Sequence, residues 1–441
     1  MRVAVIAEVF LPKIDGVVNR TVRLINELVE CGDDVLIACP QAPGRPACGV
    51  PVVECRSFPF RPYPEYLIGL PDKRLTAEVG RFAPDVLHFV NPFAFGFRCY
   101  DTFRRAGLIR PTVFSFHTLY GEFVKQYPGL KPLSKMLWWM TREYHNRADV
   151  NVTVSTSMQD ELVVRGFRRV RCWPPAVDGR LFRPDRGSLE MRRTLTGNRP
   201  DKPLLLTVSR LAPEKSVGAL ARVLESVPGC CLAIVGDGPQ RAELERHFSG
   251  MDARFVGYLK GEDLAAAYAS ADAFVYASET ETMGSVILEA MASGLPVVAP
   301  RAGGIPTLVE HDHTGLLYTP GAPDDAEKLT RSVVADVGLR SRLGRAARSA
   351  VEGCDWKHSI GRVRDFYSEA IEVFRPVRGK RSWGQRSAGV VTATLVSAFR
   401  ARAAVGKNAR YSGPRPTRRR LPKTTNAHFQ GALAGASGNG I

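Results

Sequence analysis

Two carboxylates, Glu281 and Glu289, stand with seven residues between them in the run Ser278-Glu279-Thr280-Glu281-Thr282-Met283-Gly284-Ser285-Val286-Ile287-Leu288-Glu289. Beyond Gly284 the spacing predicts a helix over 285–293. Val286, Ile287, Ala290 and Met291 share a face, Gly294 ends the helix and Pro296 bars its continuation. The helix start offers unpaired N–H groups and a positive dipole end to an anion, and the glutamates on either side offer acceptors to sugar hydroxyls. A sugar joined to a phosphate suits this combination. Taken alone, the pair would equally fit two solvated surface carboxylates.

A second cluster, Val208-Ser209-Arg210-Leu211-Ala212-Pro213-Glu214-Lys215, follows the apolar run Leu204-Leu205-Leu206. It reads as a strand end and the loop beyond it, the place where open parallel sheets bind ligands. Arg210 brings a planar fork and Lys215 a mobile point charge, so the two can neutralise a departing diphosphate without a metal. The sequence holds no Asp-x-Asp pair for a divalent ion; the nearest approach, Asp324-Asp325, lies in a Pro/Gly turn. No metal and no other cofactor is therefore expected. As ordinary loop cations, Arg210 and Lys215 would need no such role.

Taken in order, these stretches resemble the C-terminal half of the family 4 retaining glycosyltransferases, enzymes of the two-domain GT-B architecture. The matching elements are Arg210 and Lys215, Val235-Gly236-Asp237-Gly238-Pro239, Phe255-Val256-Gly257, Tyr268-Ala269-Ser270-Ala271-Asp272-Ala273-Phe274, the glutamate pair and Ala302-Gly303-Gly304-Ile305-Pro306. The N-terminal half fits more loosely. Within the family the sequence is most similar to lipid-directed enzymes, the sulfoquinovosyltransferases and the mycobacterial-type α-mannosyltransferases.

The resemblance implies a nucleoside diphosphate sugar held between two domains. Glu289 would take the ribose, Glu281 and His117 the transferred sugar, and Arg210, Lys215, Gly16 and the N–H groups of Met283 and Gly284 the diphosphate. Catalysis would rest on stabilising the departing diphosphate, carried by His117, Arg210, Lys215 and Glu281, while the leaving phosphate helps to deprotonate the acceptor hydroxyl on the same face of the sugar. Gly16, in Lys13-Ile14-Asp15-Gly16-Val17, would let the backbone approach a phosphate, although the family often has two glycines here and Asp15 replaces the first. A plain strand-to-helix turn would also account for Gly16. His117, in Phe114-Ser115-Phe116-His117-Thr118, follows a strand end, where a neutral imidazole can bond a hydroxyl. Glu8 is a further candidate at the end of the first strand.

The elements that must position these residues come from periodicity. Strand candidates at 3–7, 35–39, 86–90, 112–116 and 150–154 alternate with helical stretches near 17–30, 71–82, 132–147 and 157–165. The second half repeats the plan, with strands at 204–208, 231–235, 254–256, 273–276 and 297–299 and helices near 216–226, 240–248, 262–271 and 285–293. The expected class is α/β, with two Rossmann-like doubly wound domains facing a cleft. An acceptor domain is expected over 1–175, a linker over 176–202, a donor-binding domain over 203–355 and a helix crossing back to the first domain over 356–375.

The 441 residues exceed one ordinary domain, and an apolar share of 44% supports two real cores. Nine scattered cysteines without Cys-x-x-Cys spacing read as reduced packing residues. The chain passes straight from Met1 into a strand pattern, without the form of a signal peptide, and no apolar run is long enough to span a bilayer. A cytoplasmic protein is expected. The formal charge of +17 is concentrated at one end: 14 of the 61 Lys and Arg, and none of the 44 Asp and Glu, lie from Val373 onward. Residues 376–441 read as a disordered basic tail, suited to the inner face of an anionic membrane, with nucleic acid as a weaker rival partner. Aromatic and basic residues also interleave over 119–142 and, more poorly, over 58–63, as at a membrane interface.

The expected activity is transfer of a sugar to a hydroxyl of a membrane lipid, sulfoquinovosyl-diacylglycerol-type synthesis being favoured over GDP-mannose-dependent α-mannosyl transfer. A nucleotide-sugar epimerase and a non-catalytic nucleic-acid-binding protein are the readings from other classes.

Overall fold

A computed structural model describes residues 1–375 apart from 14, 42–48, 61–62, 119, 124–130 and 323. The tail expected over 376–441 lies outside these residues, as do parts of the stretches 58–63 and 119–142.

The N-terminal domain opens with β1 (Arg2–Ala7), α1 (Gly16–Glu30), β2 (Asp34–Cys39) and β3 (Val52–Glu54). An antiparallel hairpin of β4 (Arg56–Phe60) and β5 (Tyr63–Leu70) follows. Then come α2 (Lys73–Phe82), β6 (Val86–Val90), α3 (Ala94–Arg105), β7 (Thr112–Phe116), α4 (Tyr120–Phe123), α5 (Ser134–His145), β8 (Val150–Thr153), α6 (Thr156–Val164) and β9 (Val170–Cys172). Seven strands pair in the order β3-β2-β1-β6-β7-β8-β9, all parallel. β6 and β7 are buried along their whole length, as unbroken apolar runs must be when helices cover both faces.

The C-terminal domain repeats the architecture. α7 (Leu189–Thr196), β10 (Leu204–Val208), α8 (Leu220–Glu225), β11 (Cys231–Val235), α9 (Arg241–His247), β12 (Ala253–Gly257) and α10 (Gly261–Ala269) are followed by β13 (Ala273–Val275), α11 (Ser285–Ala292), β14 (Val297–Pro300), β15 (Gly315–Tyr318), α12 (Asp325–Ala335) and α13 (Val337–Val351). Its six parallel strands run β12-β11-β10-β13-β14-β15. In both sheets the order reverses beside the first strand, between β1 and β6 and between β10 and β13. A crevice for ligand opens at the carboxyl ends of the strands at such a point.

Residues 176–202, read from sequence as a linker, are not structureless. They contain α7, capped by Ser188 and closed by Gly197, and its Leu195 is fully buried in the core of the second domain. The last helix, α14 (Trp356–Val373), returns to the first domain, where Ile360, Val363, Phe366, Tyr367 and Ala370 join the core formed by β1, β6, β7 and β8. Burial of Ile360, Val363 and Phe366 alone stabilises this docking by roughly 5–9 kcal/mol, an upper figure. Polar contacts fix its register: Trp173 Nε1 donates to Ser359 Oγ at 2.9 Å, and Arg171 forks onto the Glu369 carboxylate at 2.6 and 3.1 Å.

The aromatics singled out for a membrane surface are mostly packing residues. Trp138 is buried and stacks on Phe116 at 6.3 Å, with the Arg165 guanidinium 4.0 Å from its ring. Trp139 packs on the opposite cluster. Phe58 and Phe60 lie partly buried against Ile68 and Ala94.

Candidate active site

The loop after β10 is moulded by its neighbour. Ser209 N bonds Val235 O at 3.0 Å and Leu211 N bonds Asp237 O at 3.0 Å. Gly236 sits at φ +133°, where a Cβ would fall 1.9 Å from Ser209 O, so the Val-Gly-Asp-Gly-Pro stretch needs glycine to hold the loop that carries Arg210. Lys215 ends a single 3₁₀ turn, Pro213–Lys215, and this turn is tied to the next loop by Ser278 Oγ, which donates to Glu214 O at 3.0 Å.

Lys215 Nζ lies 2.7 Å from Glu281 Oε2 and 3.3 Å from Tyr276 OH, and the Tyr276 hydroxyl donates to the same carboxylate oxygen at 2.6 Å. Burial opposes the charge on Lys215, but the Glu281 carboxylate outweighs it and holds the ammonium protonated beyond the usual lysine range. Burial also works against the Glu281 carboxylate. Here the Lys215 charge, with bonds from Lys215, Tyr276 and the Gly284 N–H, holds its carboxyl below the usual range. Burial and then Glu281 push the Tyr276 hydroxyl up. The triangle is thus a fixed ion pair in the loops beyond the carboxyl ends of β10 and β13. Arg210 is nearby, with Nη1 3.9 Å from Glu214 Oε1.

Glu289 lies on α11, a helix buried through Ile287, Leu288, Ala290, Met291 and Ala292. Its carboxylate accepts a bond from Tyr268 OH at 2.9 Å, and burial pushes its pKa up to about 7. Neither glutamate is a solvated surface group. The loop before α11 rests on Ala302-Gly303-Gly304: Gly304 N donates to Glu281 O at 2.7 Å, and a Cβ at Gly303 would fall 2.2 Å from that same oxygen.

His117 follows β7 on the facing domain. Its carbonyl accepts a bond from Thr282 Oγ1 at 2.9 Å, joining the two domains at the residues that sequence had marked separately. Asn91 Oδ1 accepts from the backbone N–H groups of His117 and Thr118, both at 3.1 Å. Burial, then the charge of Arg20, hold the imidazole well below its usual pKa, so it is neutral.

A chain of bonds fixes which nitrogen carries the proton. His117 Nε2 meets Ser115 Oγ at 3.0 Å, Ser115 Oγ meets His88 Nε2 at 3.0 Å, and His88 Nδ1 meets Tyr367 OH at 2.7 Å. The buried Tyr367 hydroxyl has no other acceptor among the described residues, so it donates to His88 Nδ1. His88 Nε2–H then donates to Ser115, and Ser115 donates to His117 Nε2. His117 is left with its proton on Nδ1, a donor toward whatever lies beside it.

The other candidates stand differently. Gly16 begins α1, and a Cβ there would meet nothing within 4 Å, so sterics do not require glycine. Asp15 caps the same helix through Val18 N at 2.9 Å and pairs with Lys13 at 3.3 Å, placing a carboxylate where an anion would otherwise sit. Glu8 is structural: its buried carboxylate accepts the N–H groups of Phe93, Phe95 and Gly96 at 2.8, 2.9 and 2.8 Å, closing the start of α3, with the Tyr66 hydroxyl also bonded to it. Among the described residues no group of three or more His, Cys, Asp or Glu is arranged to hold a metal ion. Nor is any helix there long and apolar enough to cross a membrane.

Comparison with known proteins adds to this geometry. Residues 14–180 match the description Glycosyltransferase Family 4, and residues 192–350 match Glycosyl transferases group 1. The chain is 37% identical to the sulfoquinovosyl transferase of Arabidopsis thaliana, covering 82% of this chain and 72% of the relative. It is 38% identical to the GDP-mannose-dependent alpha-mannosyltransferase of Mycolicibacterium smegmatis, covering 87% and 99%. The chain belongs to glycosyltransferase family 4. Its fold is that of solved structures such as Anabaena HepE in complex with UDP, with a TM-score of 0.67 at 20% identity over 83% of this chain and 100% of that one. Sucrose-phosphate synthase of Thermosynechococcus elongatus gives 0.69 at 20% identity over 85% and 100%. The family 4 chain is thus a glycosyltransferase of GT-B architecture. Around the ionic residues singled out from sequence the structure gathers Tyr276, Tyr268, Thr282, Ser115, His88 and Tyr367, which the sequence did not single out: Tyr268, Thr282 and Ser115 stand unremarked inside the quoted motifs, Tyr276 just after β13, His88 within β6 and Tyr367 in the crossing helix.

Proposed function

We propose that this glycosyltransferase moves a sugar with retention from a nucleoside diphosphate sugar to a lipid hydroxyl, without a metal ion. The observation that carries the proposal is the buried Lys215–Tyr276–Glu281 triangle on one domain, joined through Thr282 to His117 on the other. Lys215 keeps donor capacity beyond its two partners, and with Arg210 it meets the diphosphate, aided by the Met283 N–H; the Gly284 N–H is already bonded to Glu281 and the Asp15 carboxylate stands before Gly16, so the roles expected of those two glycines are not part of this reading. Glu289 accepts the ribose hydroxyls. Glu281 and the Nδ1–H of His117 hold the sugar. As the bond from the anomeric carbon to the diphosphate breaks, the electron pair leaves with the phosphate oxygen, and these cations stabilise it. The acceptor oxygen bonds to the same face, and its proton passes to the leaving phosphate.

The favoured donor carries sulfoquinovose, in line with the Arabidopsis relative. A GDP-mannose donor is the second reading, favoured by the mycobacterial relative that is matched over 99% of its length. Both readings fit a lipid acceptor. So does the surface beside α5 and α6, where Val164 is 84% exposed next to Lys135, Trp139, Arg142 and Arg165.

A thermal-shift screen against UDP, GDP and ADP sugars tests the donor class. A true donor at 100 times its dissociation constant should add about 2.7 kcal/mol of stability. A flat response to every sugar nucleotide would remove the proposal.

A further inference from the structure

Arg20 lies one helical turn beyond Gly16 on α1 and is only 2% exposed. Its guanidinium stacks on the Trp173 indole, 3.9 Å from the ring centroid. Nη2 donates to the carbonyls of Pro174 at 2.8 Å and Trp173 at 3.4 Å, while Nη1 reaches across the domains to the sulfur of Met283 at 2.6 Å. Nε is buried and has no partner. Among the described residues no carboxylate stands within ion-pair distance of it.

That is an unusual state for a buried arginine. Arg147, at a comparable depth, has Asp101 at 3.3 Å. A thioether is a weak acceptor, and a buried cation lacking an anion costs several kcal/mol. Burial draws the pKa of Arg20 down only to about 9, so it keeps its charge at neutral pH. A structural arginine would be expected to hold a carboxylate. Arg20 instead presents half of a planar fork at the interdomain site, between His117, which feels its charge, and Met283, at the start of α11.

We infer that Arg20 is a binding residue for an anionic oxygen group of the donor, either its diphosphate or an acidic substituent such as a sulfonate on the transferred sugar. The guanidinium fork matches both phosphate and sulfonate oxygens, and the stack on Trp173 holds it in place before ligand arrives. The Met283 thioether occupies the position of the missing acceptor, and its flexible chain can yield to a ligand oxygen. This inference rests on reading the interdomain crevice as the donor site.

Calorimetry on wild type, Arg20→Gln and Arg20→Lys with UDP, UDP-glucose, UDP-sulfoquinovose, GDP and GDP-mannose tests it. Loss of about 30-fold or more for UDP-sulfoquinovose alone assigns Arg20 to the sugar's anion, and equal loss for every nucleotide the wild type binds assigns it to the diphosphate. Unchanged affinities in the Gln variant overturn the inference and leave the donor site standing. A wild type that binds none of the five, and no ADP sugar either, overturns the donor site and Arg20's role with it. Should the Gln variant fold poorly, the Lys variant decides: it keeps the charge without the fork, so about tenfold weaker binding is expected and an unchanged affinity contradicts the inference.

Discussion

Glu289 shows how burial at a single residue sets a pH response. Its carboxyl titrates at about 7 because burial disfavours the charge and Tyr268 only partly compensates. The ionised form is the better acceptor for ribose hydroxyls, so nucleoside diphosphate affinity should strengthen as pH rises through about 7. In Glu289→Gln the affinity should be lower and flat across that range, as calorimetry at pH 6, 7 and 8 would report. Arg210, Lys215, Glu281 and Glu289 stood out in the sequence through the order of the motifs that carry them, although each pair alone also fitted an ordinary surface role. Their mutual contacts were not: Tyr276 looks like one more aromatic of a strand, and nothing in the sequence places Glu281 on Lys215. Arg20 reads as an ordinary helix cation until its guanidinium is found between Trp173 and Met283.

At the level of elements, the periodic strands and helices were the easy part. β3 is only three residues long, and α3, buried through Phe95, Phe97, Cys99, Tyr100, Asp101 and Phe103, was not singled out in the sequence. The crossing helix was recognised, but its reach into the site was not. Tyr367→Phe removes the donor that starts the chain to His117, leaving the His117 tautomer unset. It should cost about 1 kcal/mol in stability and lower kcat/KM for the sugar nucleotide, while binding of the free nucleoside diphosphate stays the same. A loss of nucleotide binding equal to the loss of activity would mark Tyr367 as merely structural. Gly303→Ala tests the neighbouring loop. A Cβ 2.2 Å from Glu281 O, at a residue with φ +57°, should displace Glu281 and cut turnover well before it unfolds the domain, measured by kinetics beside chemical unfolding.

For the whole molecule, buried neutral histidines tie stability to pH. His88 and His145 titrate near 3 when folded because burial disfavours their charge, against about 6.5 when unfolded. Their contribution is complete above pH 6.5 and declines as pH falls toward 3, by about 1.4 kcal/mol per unit for each histidine. Glu289 works in the opposite sense, its contribution lost as pH rises from 4.5 through about 7. Urea midpoints at pH 7, 5 and 4 should therefore fall steadily, and less steeply in His145→Gln. The charge asymmetry gives a separate expectation. Ending the chain at Arg375 should leave transfer to a detergent-solubilised acceptor intact and weaken association with anionic vesicles, most at low salt, because surface attraction is screened over roughly 10 Å at 0.1 M. If the cations after β10 stabilise the leaving diphosphate unaided by a metal, turnover in EDTA should be complete in wild type and about 100-fold or more lower in Arg210→Ala and in Lys215→Ala, equivalent to roughly 3 kcal/mol at the leaving group. Wild-type activity that vanishes in EDTA, with both alanine variants still active when metal is restored, would contradict that role of the cations.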